Sequence, residues 1–406
     1  MIKDVTAPRL ALLVVLAMLT WSATAAALEI TTPGDRTITV RGFYKNFVIG
    51  LDSSVPFISD GISDLNRARL MLDSRVSENW EVSLHYEMIA EVNPLLSGGL
   101  FFSARQRPGL TSLSWPILDN ENVAWRHEID RLQVRGRLNW GDVTIGRQAI
   151  GWGVGILWAP LDLMLAFSPV QIDREYRLGV DAGRVLIPVG DSSEVEGVYA
   201  FYGTNFAQQI AAFRWHSTLL ESGIDVGMIA GKFFEDAVVG ALASGEFRGV
   251  GIHSSVNLTH HYGSEDGPRD FARIVVGADY RFAGNVIAIA EYYFNGWGAS
   301  SPSAYLSRAT ADRVQRGEIF NLGRHYFGFN VDWQAHPLVH LLARGQTNLA
   351  DPSAQIGPAI TLSLSDESLL EAGAFFGIGG GLDGLTPKSE FGIAPNLFYT
   401  AAKIYF

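Results

Sequence analysis

Cysteine is absent from the 406-residue sequence, so neither disulfide bonds nor thiolate metal sites can stabilise the protein. Basic residues are also scarce relative to acidic ones. The 31 Lys and Arg residues are outnumbered by 42 Asp and Glu, which gives a formal net charge of −11. A general nucleic-acid partner would require a basic face, and this balance argues against one.

Long apolar runs and catalytic motifs are missing as well. After residue 27 there is no run of 18 apolar residues, which excludes a helical membrane protein. No G-x-S-x-G elbow or HExxH motif occurs. His260 and His261, close to Asp270, leave a water-activating pair or a metal site as an alternative, although neighbours in a strand point to opposite faces. We therefore expect no enzyme, catalytic residue, metal or cofactor.

The first 27 residues have the pattern of a cleaved secretory signal peptide. Lys3 and Arg9 precede a short apolar core from Leu10 to Trp21, and small residues with Ala-x-Ala spacing follow. Cleavage is expected just before Ala26 or Leu28, and a retained N-terminal anchor is the alternative. Without residues 1–27 the chain keeps 29 basic and 41 acidic side chains, a formal charge near −12.

From Thr37 onward, segments of about ten residues alternate apolar and polar side chains, which is the period of a β-strand. The clearest example is DRLQVRGRLNW at 130–140. Here Leu132 and Val134 point to one face, and Arg135 and Arg137 point to the other. Two architectures fit this pattern. One is a soluble all-β fold, and the other is a barrel whose apolar face meets lipid and whose polar face lines a water-filled lumen.

The C-terminal segment PNLFYTAAKIYF, residues 395–406, favours the barrel. It places Phe398, Ile404 and the terminal Phe406 on one face. In this feature the chain resembles Gram-negative outer-membrane β-barrels of the porin type. The resemblance implies an outer-membrane location, contact with lipid and lipopolysaccharide, and recognition of Phe406 by the barrel-assembly machinery. By similarity to general porins it also implies a homotrimer.

We predict an all-β, closed antiparallel transmembrane barrel formed by residues 28–406 as a single domain. Eighteen strands put short turns on one side and long external connections on the other, as such barrels have. Sixteen strands are the alternative. The predicted strands are 37–50, 65–77, 79–92, 123–139, 141–150, 176–188, 193–203, 208–220, 222–234, 236–243, 246–259, 271–283, 285–296, 323–334, 337–348, 356–365, 368–379 and 395–406.

One external connection is too apolar for an ordinary surface loop and too rich in Gly and Pro for a helix. It reads GRQAIGWGVGILWAPLDLMLAFSP at 146–169. Its GRQ and following WG resemble a segment of alginate-exporter-like channels. We predict that residues 151–175 fold inward as a constriction loop, and capping of the rim or contact with a neighbouring protomer is the alternative. The candidate residues of this loop are Trp152, Trp158, Asp162, Phe167, Asp173 and Glu175.

Basic side chains recur on the predicted lumen faces and would oppose the carboxylates of the loop. Such an arrangement creates a transverse field that favours polar solutes, and the excess of arginine favours anions. Simple pairing of these arginines with wall acids is the alternative. The predicted pore-lining residues are Lys45, Arg67, Arg69, Arg75, Arg131, Arg135, Arg137, Arg214, Arg273, Arg281 and Arg344.

Together these features predict a channel for passive, charge-filtered diffusion of small hydrophilic, anionic solutes. A second hypothesis is a barrel that does not conduct. Such a barrel would serve binding, assembly or gated export and would handle polysaccharide or lipid. The apolar loop is its best support, because an apolar inner surface binds acyl chains or sugar rings. Open conductance distinguishes the two.

Overall fold

The computed structural model describes residues 28–32, 36–53, 55, 60–94, 109–263 and 267–406. The predicted signal peptide, residues 1–27, lies outside them. The helices in these ranges all lack the length and hydropathy of a membrane-spanning helix.

Eighteen antiparallel strands of the described chain form one barrel, and we number them β1 to β18. They are Arg36–Asp52, Gly61–Arg75, Trp80–Val92, Val123–Leu138, Gly141–Gln148, Val180–Val189, Ser193–Phe201, Gln209–Leu219, Ile224–Phe233, Asp236–Phe247, Val250–His261, Asp270–Phe282, Val286–Asn295, His325–His336, Val339–Asn348, Ser353–Ser365, Ser368–Ile378 and Asn396–Tyr405.

The barrel is closed. Each strand pairs with the next, and β18 pairs with β1, where Phe43 lies opposite Tyr405 and Asp52 opposite Asn396. Closure leaves the barrel wall no free sheet edge. The prediction of eighteen strands is confirmed, and the sixteen-strand and soluble all-β alternatives are wrong.

Four predicted boundaries are wrong by four residues. β2 begins at Gly61 rather than at 65, β10 ends at Phe247 rather than at 243, and β11 begins at Val250 rather than at 246. β6 begins at Val180 rather than at 176, because residues 176–179 still belong to the preceding connection.

Connections differ at the two ends of the barrel. At one end, turns of two to four residues join β2 to β3, β4 to β5 and every later even strand to its successor. Arg248 and Gly249 form such a turn with φ of 54° and 82°, the positive values of a type I′ hairpin. At the other end lie the long connections 93–122, 149–179, 262–269, 296–324 and 379–395. This asymmetry is as predicted.

The outer face of the barrel is mostly apolar and exposed. On β4, Leu132, Val134 and Leu138 are 45%, 42% and 39% exposed. The tryptophans Trp80 and Trp140 lie beside short turns and are also exposed. A continuous apolar surface of this kind is costly in water and favourable in hydrocarbon, and aromatic side chains mark its interface with water. The barrel therefore has the surface of a membrane-spanning protein.

The buried apolar residues lie inside the barrel. Trp152, Leu161 and Leu163 of the connection 149–179 pack against inward-facing residues such as Ile210 and Ile229 of β8 and β9. The core thus joins an inserted loop to the wall, rather than one sheet to another.

Short elements lie at both ends of the barrel. Strand Leu28–Thr32 pairs with the start of β1, and Ser114–Asp119 pairs with the long-loop end of β4. Two helices, α1 (Tyr305–Ala309) and α2 (Asp312–Gln315), lie in connection 296–324. The remaining short elements are a two-stranded ribbon of Leu382–Asp383 with Thr386–Pro387 and the 3-10 turns Phe206–Gln208, Pro302–Ala304 and Phe391–Ile393.

Candidate functional site

The connection between β5 and β6, residues 149–179, runs across the barrel interior, and we name it the inward loop. Its middle reaches β13, where the Trp158 ring stacks on Tyr293 with 5.4 Å between centroids. Its returning part reaches β1, where the Lys45 ammonium lies 2.9 Å from the Asp173 carboxylate. Because β13 and β1 lie on separate parts of the wall, the loop crosses the lumen. The predicted inward fold is confirmed.

The two tryptophans of the inward loop are buried anchors on the wall. Trp152 packs edge-to-face on Phe233, and its Nε1 donates to Glu196 at 3.1 Å. The Nε1 of Trp158 donates to Asn321 at 2.7 Å. An indole needs such an acceptor when it is buried. These contacts fix the loop at β7, β9 and the connection 296–324.

Asp162 holds the shape of the inward loop itself. It accepts hydrogen bonds from the backbone N–H of Trp152 at 2.6 Å and of Gly153 at 2.7 Å. The Arg177 guanidinium donates to it at 2.7 Å and lies 4.9 Å above the half-buried ring of Phe167. Because these hydrogen bonds lie within the loop, Asp162 stabilises the conformation of the loop.

The returning part of the inward loop carries carboxylates onto a cationic wall. Asp173 contacts Lys45 and also Arg67, at 2.8 Å. Burial opposes ionisation of Asp173, but the charges of Arg67 and Lys45 outweigh it and lower its pKa. Glu175 contacts Lys45 at 2.7 Å and accepts from the Tyr405 hydroxyl at 2.5 Å. The ion pairs attach the loop to β1 and β2, and the Tyr405 hydrogen bond attaches it to β18.

A β-bulge in β4 adds an acid to the same wall. The pairing of β3 with β4 shifts between His85 and Tyr86, and this turns both Asp130 and Arg131 inward. Asp130 binds Arg131 at 2.6 Å and also contacts Arg69. Strict alternation would place Asp130 on the outer face. The wall around Lys45, Arg67, Arg69 and Arg131 is therefore neutralised by acids.

The other predicted pore-lining arginines are mostly paired and do not meet the inward loop. Arg75, Arg135, Arg137 and Arg281 lie near the short-turn end of the barrel. Arg281 is exposed. The ion pairs of the others are Arg214 with Glu194 (3.0 Å), Arg273 with Glu318 (3.2 Å), Arg137 with Glu81 (2.8 Å), Arg75 with Glu81 (3.8 Å) and Arg135 with Asp142.

Two arginines differ from this pattern. Neither Arg174 nor Arg344 forms an ion pair with a carboxylate among the residues that the structure describes. Arg344, on β15, donates to the Gln171 carbonyl at 3.0 Å and lies 5.0 Å from the Phe375 ring. Arg174, on the inward loop, donates to the Ile156 carbonyl at 2.7 Å. Burial and the nearby charge of Arg344 lower the pKa of Arg174 to about 10. The two guanidiniums are therefore close enough for their charges to interact, and neither forms a salt bridge in the described chain.

A small cavity of about 10 Å³ separates the inward loop from the wall beside Arg344. Leu157 and Trp158 cover it from the loop, and Gln355 and Phe375 line the wall. This volume accommodates about one water molecule. Movement of the loop residues 157 and 158 would enlarge it directly next to Arg344.

The GRQ segment determines where the inward loop leaves the wall. Arg147 points outward but is only 5% exposed, because it binds Asp181 at 2.6 Å and the Thr111 carbonyl at 3.1 Å. Gln148 points inward and donates to the Ala182 carbonyl at 3.0 Å. The sequence signal was available: Arg147 is a charge on the otherwise apolar face of β5.

Two further connections contribute buried acids that sequence reasoning missed. Glu318 contacts Arg313 at 3.2 Å and Arg316 at 2.6 Å. Burial opposes its ionisation, but these arginines outweigh it and hold its pKa well below the usual range. Glu390, in connection 379–395, accepts from the Leu322 N–H at 2.8 Å. It therefore links connections 379–395 and 296–324.

The two adjacent histidines point to opposite faces. Exposed His260 lies 2.7 Å from Asp270, and buried His261 lies 2.8 Å from Asp236. Within the described ranges, no group of three or more His, Asp or Glu residues is arranged to hold a metal ion.

Solved structures share this fold. OccAB3 of Acinetobacter baumannii has a TM-score of 0.58 at 8% identity, covering 91% of this chain and 99% of its own. OpdK of Pseudomonas aeruginosa with vanillate has a TM-score of 0.57 at 9% identity, covering 91% and 98%. OccAB4 of Acinetobacter baumannii has a TM-score of 0.56 at 8% identity, covering 92% and 100%.

The fold is thus that of porin-like barrels of Gram-negative outer membranes, as the C-terminal resemblance implied, and OpdK is described as an outer membrane protein. Neither a protein-family model nor a curated protein sequence matches the chain.

Proposed function

We propose that this protein is an outer-membrane channel for passive diffusion of small hydrophilic solutes, with a preference for anions. The closed barrel supports this function, because its outer face suits lipid and its inner face carries the charged residues. The inward loop supplies the constriction, and residues 151–175 within it narrow the passage. Eighteen strands enclose a lumen wide enough for water and small solutes beside such a loop.

The pair Arg174 and Arg344 carries the anion preference. Most other cations near the loop are matched by acids, so they contribute little net potential. The two unmatched guanidiniums repel each other, and a passing anion between them would relieve that repulsion. A guanidinium also presents paired N–H donors that fit a carboxylate. The preference is therefore concentrated at one point rather than spread along the predicted row of arginines.

Carboxylates are the class of anion that we propose. OpdK, which shares the fold, has been solved with vanillate, an aromatic carboxylate. In this chain Arg344 lies 5.0 Å from the Phe375 ring, and Arg174 lies 5.5 Å from the Phe167 ring. A cation next to an aromatic ring suits a ligand with one charged and one flat apolar end.

Further partners are proposed from the resemblance. We propose that residues 1–27 direct export and are removed, that Phe406 is recognised by the barrel-assembly machinery, and that external loops contact lipopolysaccharide. A homotrimer is also proposed. Crosslinking in native membranes would test it.

The test is single-channel conductance of the refolded protein in a planar bilayer under a salt gradient. We predict a steady pore that favours chloride over potassium. Arg344→Gln should lower the chloride-to-potassium permeability ratio by roughly threefold to tenfold, as expected when one charge beside the passage is removed. Arg75→Gln is the control, because Arg75 lies at the short-turn end and is 61% exposed.

An equal loss of anion preference in both variants would contradict the special role of Arg344. If the wild-type protein gives no conductance, the channel function fails. A binding, assembly or gated-export barrel for polysaccharide or lipid then becomes the better account.

A further inference from the structure

One carboxylate of the wall holds the middle of the inward loop. Glu291, on β13, is 1% exposed. Three successive backbone N–H groups donate to it, those of Ile156 at 2.6 Å, Leu157 at 3.1 Å and Trp158 at 3.0 Å. Successive N–H groups that converge in this way form a concave anion site, or nest. The anion in this nest is supplied by the protein itself.

The wall around Glu291 is shaped to receive the loop. Gly277 and Gly328 lie opposite Glu291 on the two neighbouring strands. A Cβ atom at Gly328 would lie 2.6 Å from the Trp158 ring, and one at Gly277 would lie 2.3 Å from His253 Nε2. Without these Cβ atoms, Trp158 sits on the wall and His253 reaches the Glu291 carboxylate at 2.9 Å. We name Gly277, Glu291 and Gly328 the seat.

We propose that Glu291 is a positioning residue that latches the inward loop across the lumen, and that residues 156–158 form an anion nest whose occupant keeps the constriction in place. This inference rests on the proposed channel function. Hydrogen bonds to a carboxylate are stronger than neutral ones, and loss of this acceptor would leave the buried N–H groups of Leu157 and Trp158 unsatisfied. Trp158 is also held by the hydrogen bond from its Nε1 to Asn321, and the Ile156 carbonyl accepts from Arg174.

Release of the latch would act on the anion-selective point. The cavity beside Arg344 is covered by Leu157 and Trp158, two of the three residues that form the nest. Arg174 is tied to the same region through the Ile156 carbonyl. If the nest leaves the seat, the cover of Arg344 and the support of Arg174 move together. Glu291 therefore controls both the width of the passage and the placement of its charges.

Hydrogen–deuterium exchange and conductance test the latch in the full-length refolded barrel. Glu291→Ala and Glu291→Gln should raise the exchange rates of the amides at 156–158 by about tenfold or more. Both should also raise single-channel conductance. Glu371→Gln is the matched control, because Glu371 is a wall carboxylate that binds Lys403 at 2.7 Å and does not contact the loop. Its amides at 156–158 should exchange as in the wild type.

Chemical rescue tests the nest. Acetate added to Glu291→Ala should occupy the vacated nest and slow exchange at 156–158, whereas chloride at equal ionic strength should not. If Glu291→Ala fails to fold, Gly328→Ala displaces Trp158 without removing the carboxylate and should give the same faster exchange. Unchanged exchange in the Glu291 variants, an equal rise in Glu371→Gln, or no effect of acetate would overturn the proposal.

The exchange readout does not depend on transport. Absence of conductance in the wild type, with faster exchange in Glu291→Ala, would refute the channel function and leave the latch in place. Normal conductance with unchanged exchange would refute the latch alone.

Discussion

Glu390 lies between two long connections and the barrel wall, and its ionisation is set by that position. The Leu322 N–H and the Asn348 Nδ2 each donate to its carboxyl group at 2.8 Å. Burial opposes ionisation more than these hydrogen bonds favour it, and the nearby charge of Asp351 adds to the effect of burial. The pKa of Glu390 is therefore raised from 4.5 to about 7.

A raised pKa in the docked state makes docking depend on pH. Glu390 stabilises the contact between connections 379–395 and 296–324. This contribution is fully present below the ordinary pKa near 4.5 and is lost as the pH rises through about 7. We predict that the amides of Leu322 and Gly323 are better protected from hydrogen exchange at pH 5 than at pH 8, after correction for intrinsic rates. Glu390→Gln should remove this difference. If the variant keeps the same pH dependence, another group is responsible.

Single residues also mark the limit of what the sequence could reveal. Alternation alone assigns Lys45 and Arg344 to the inward face, where the structure places them. It cannot assign Asp130, because a bulge shifts the period of β4 by one residue. It does turn Glu291 inward, but the loop residues that bind it are more than 130 positions earlier in the chain. Contacts at that separation depend on the closed barrel, not on local pattern.

At the scale of one element, β4 has one face towards lipid and the other towards the lumen. Val134 faces outward and is 42% exposed, whereas its neighbour Gln133 faces inward. Arginine facing lipid near the membrane midplane costs about 2–4 kcal/mol, and a lumen position tolerates polar change. Val134 lies two residues from the position opposite Trp80, between the midplane and the interface. We therefore predict that Val134→Arg destabilises the barrel by about 1–2 kcal/mol and that Gln133→Arg has little effect.

Urea unfolding of the two variants in lipid vesicles measures this difference. The two positions are adjacent in the strand, so the introduced charge and the position along the strand are matched. Equal stability of the two variants would mean that the outer face of β4 does not meet hydrocarbon.

The inward loop was predictable as an element but not in its docking. Apolar residues between two strands, broken by Gly and Pro, indicate a segment that must leave water, and the barrel interior is the available apolar surface. The seat at Glu291 could not be predicted from the sequence, because the glycines on either side of it come from two other strands, β12 and β14. A glycine within a strand signals close approach without naming what approaches.

At the scale of the whole molecule, the alternation of short turns and long connections determined the strand count. A barrel that begins and ends on one side needs an even number of strands, and eighteen placed every long connection at one end. Strand boundaries were less accurate than the strand count, with errors of four residues in β2, β6, β10 and β11. Residues 176–179, for example, alternate like a strand but belong to the loop. The strands follow one another around the barrel in the order of the chain, because each strand pairs with the next. The alternation and the turns of the sequence predict such pairing well.

Pairing of consecutive strands does not close the barrel, because closure requires β1 and β18, the first and the last strand, to pair. At the seam, the Gly42 N–H donates to the Phe406 carbonyl at 2.7 Å, and the Phe406 N–H donates to the Gly42 carbonyl at 3.0 Å. A Cβ at Gly42 would lie 2.4 Å from the Phe406 ring and 2.5 Å from the Arg69 carbonyl oxygen. The terminal ring therefore occupies the space that glycine leaves.

Gly42→Val should therefore impair closure of the barrel, with a cost on the order of 1–3 kcal/mol for the overpacked seam. Gly50→Val is the control on the same strand and face, because the nearest atom to an added Cβ there is a carbonyl oxygen 4.0 Å away. Refolding into detergent, followed by electrophoresis without heating, separates closed from open barrels. A smaller closed fraction for Gly42→Val than for Gly50→Val would show that the seam limits assembly. Equal fractions would mean that the Phe406 ring can rotate away, and that β18 closes the barrel through its backbone bonds alone.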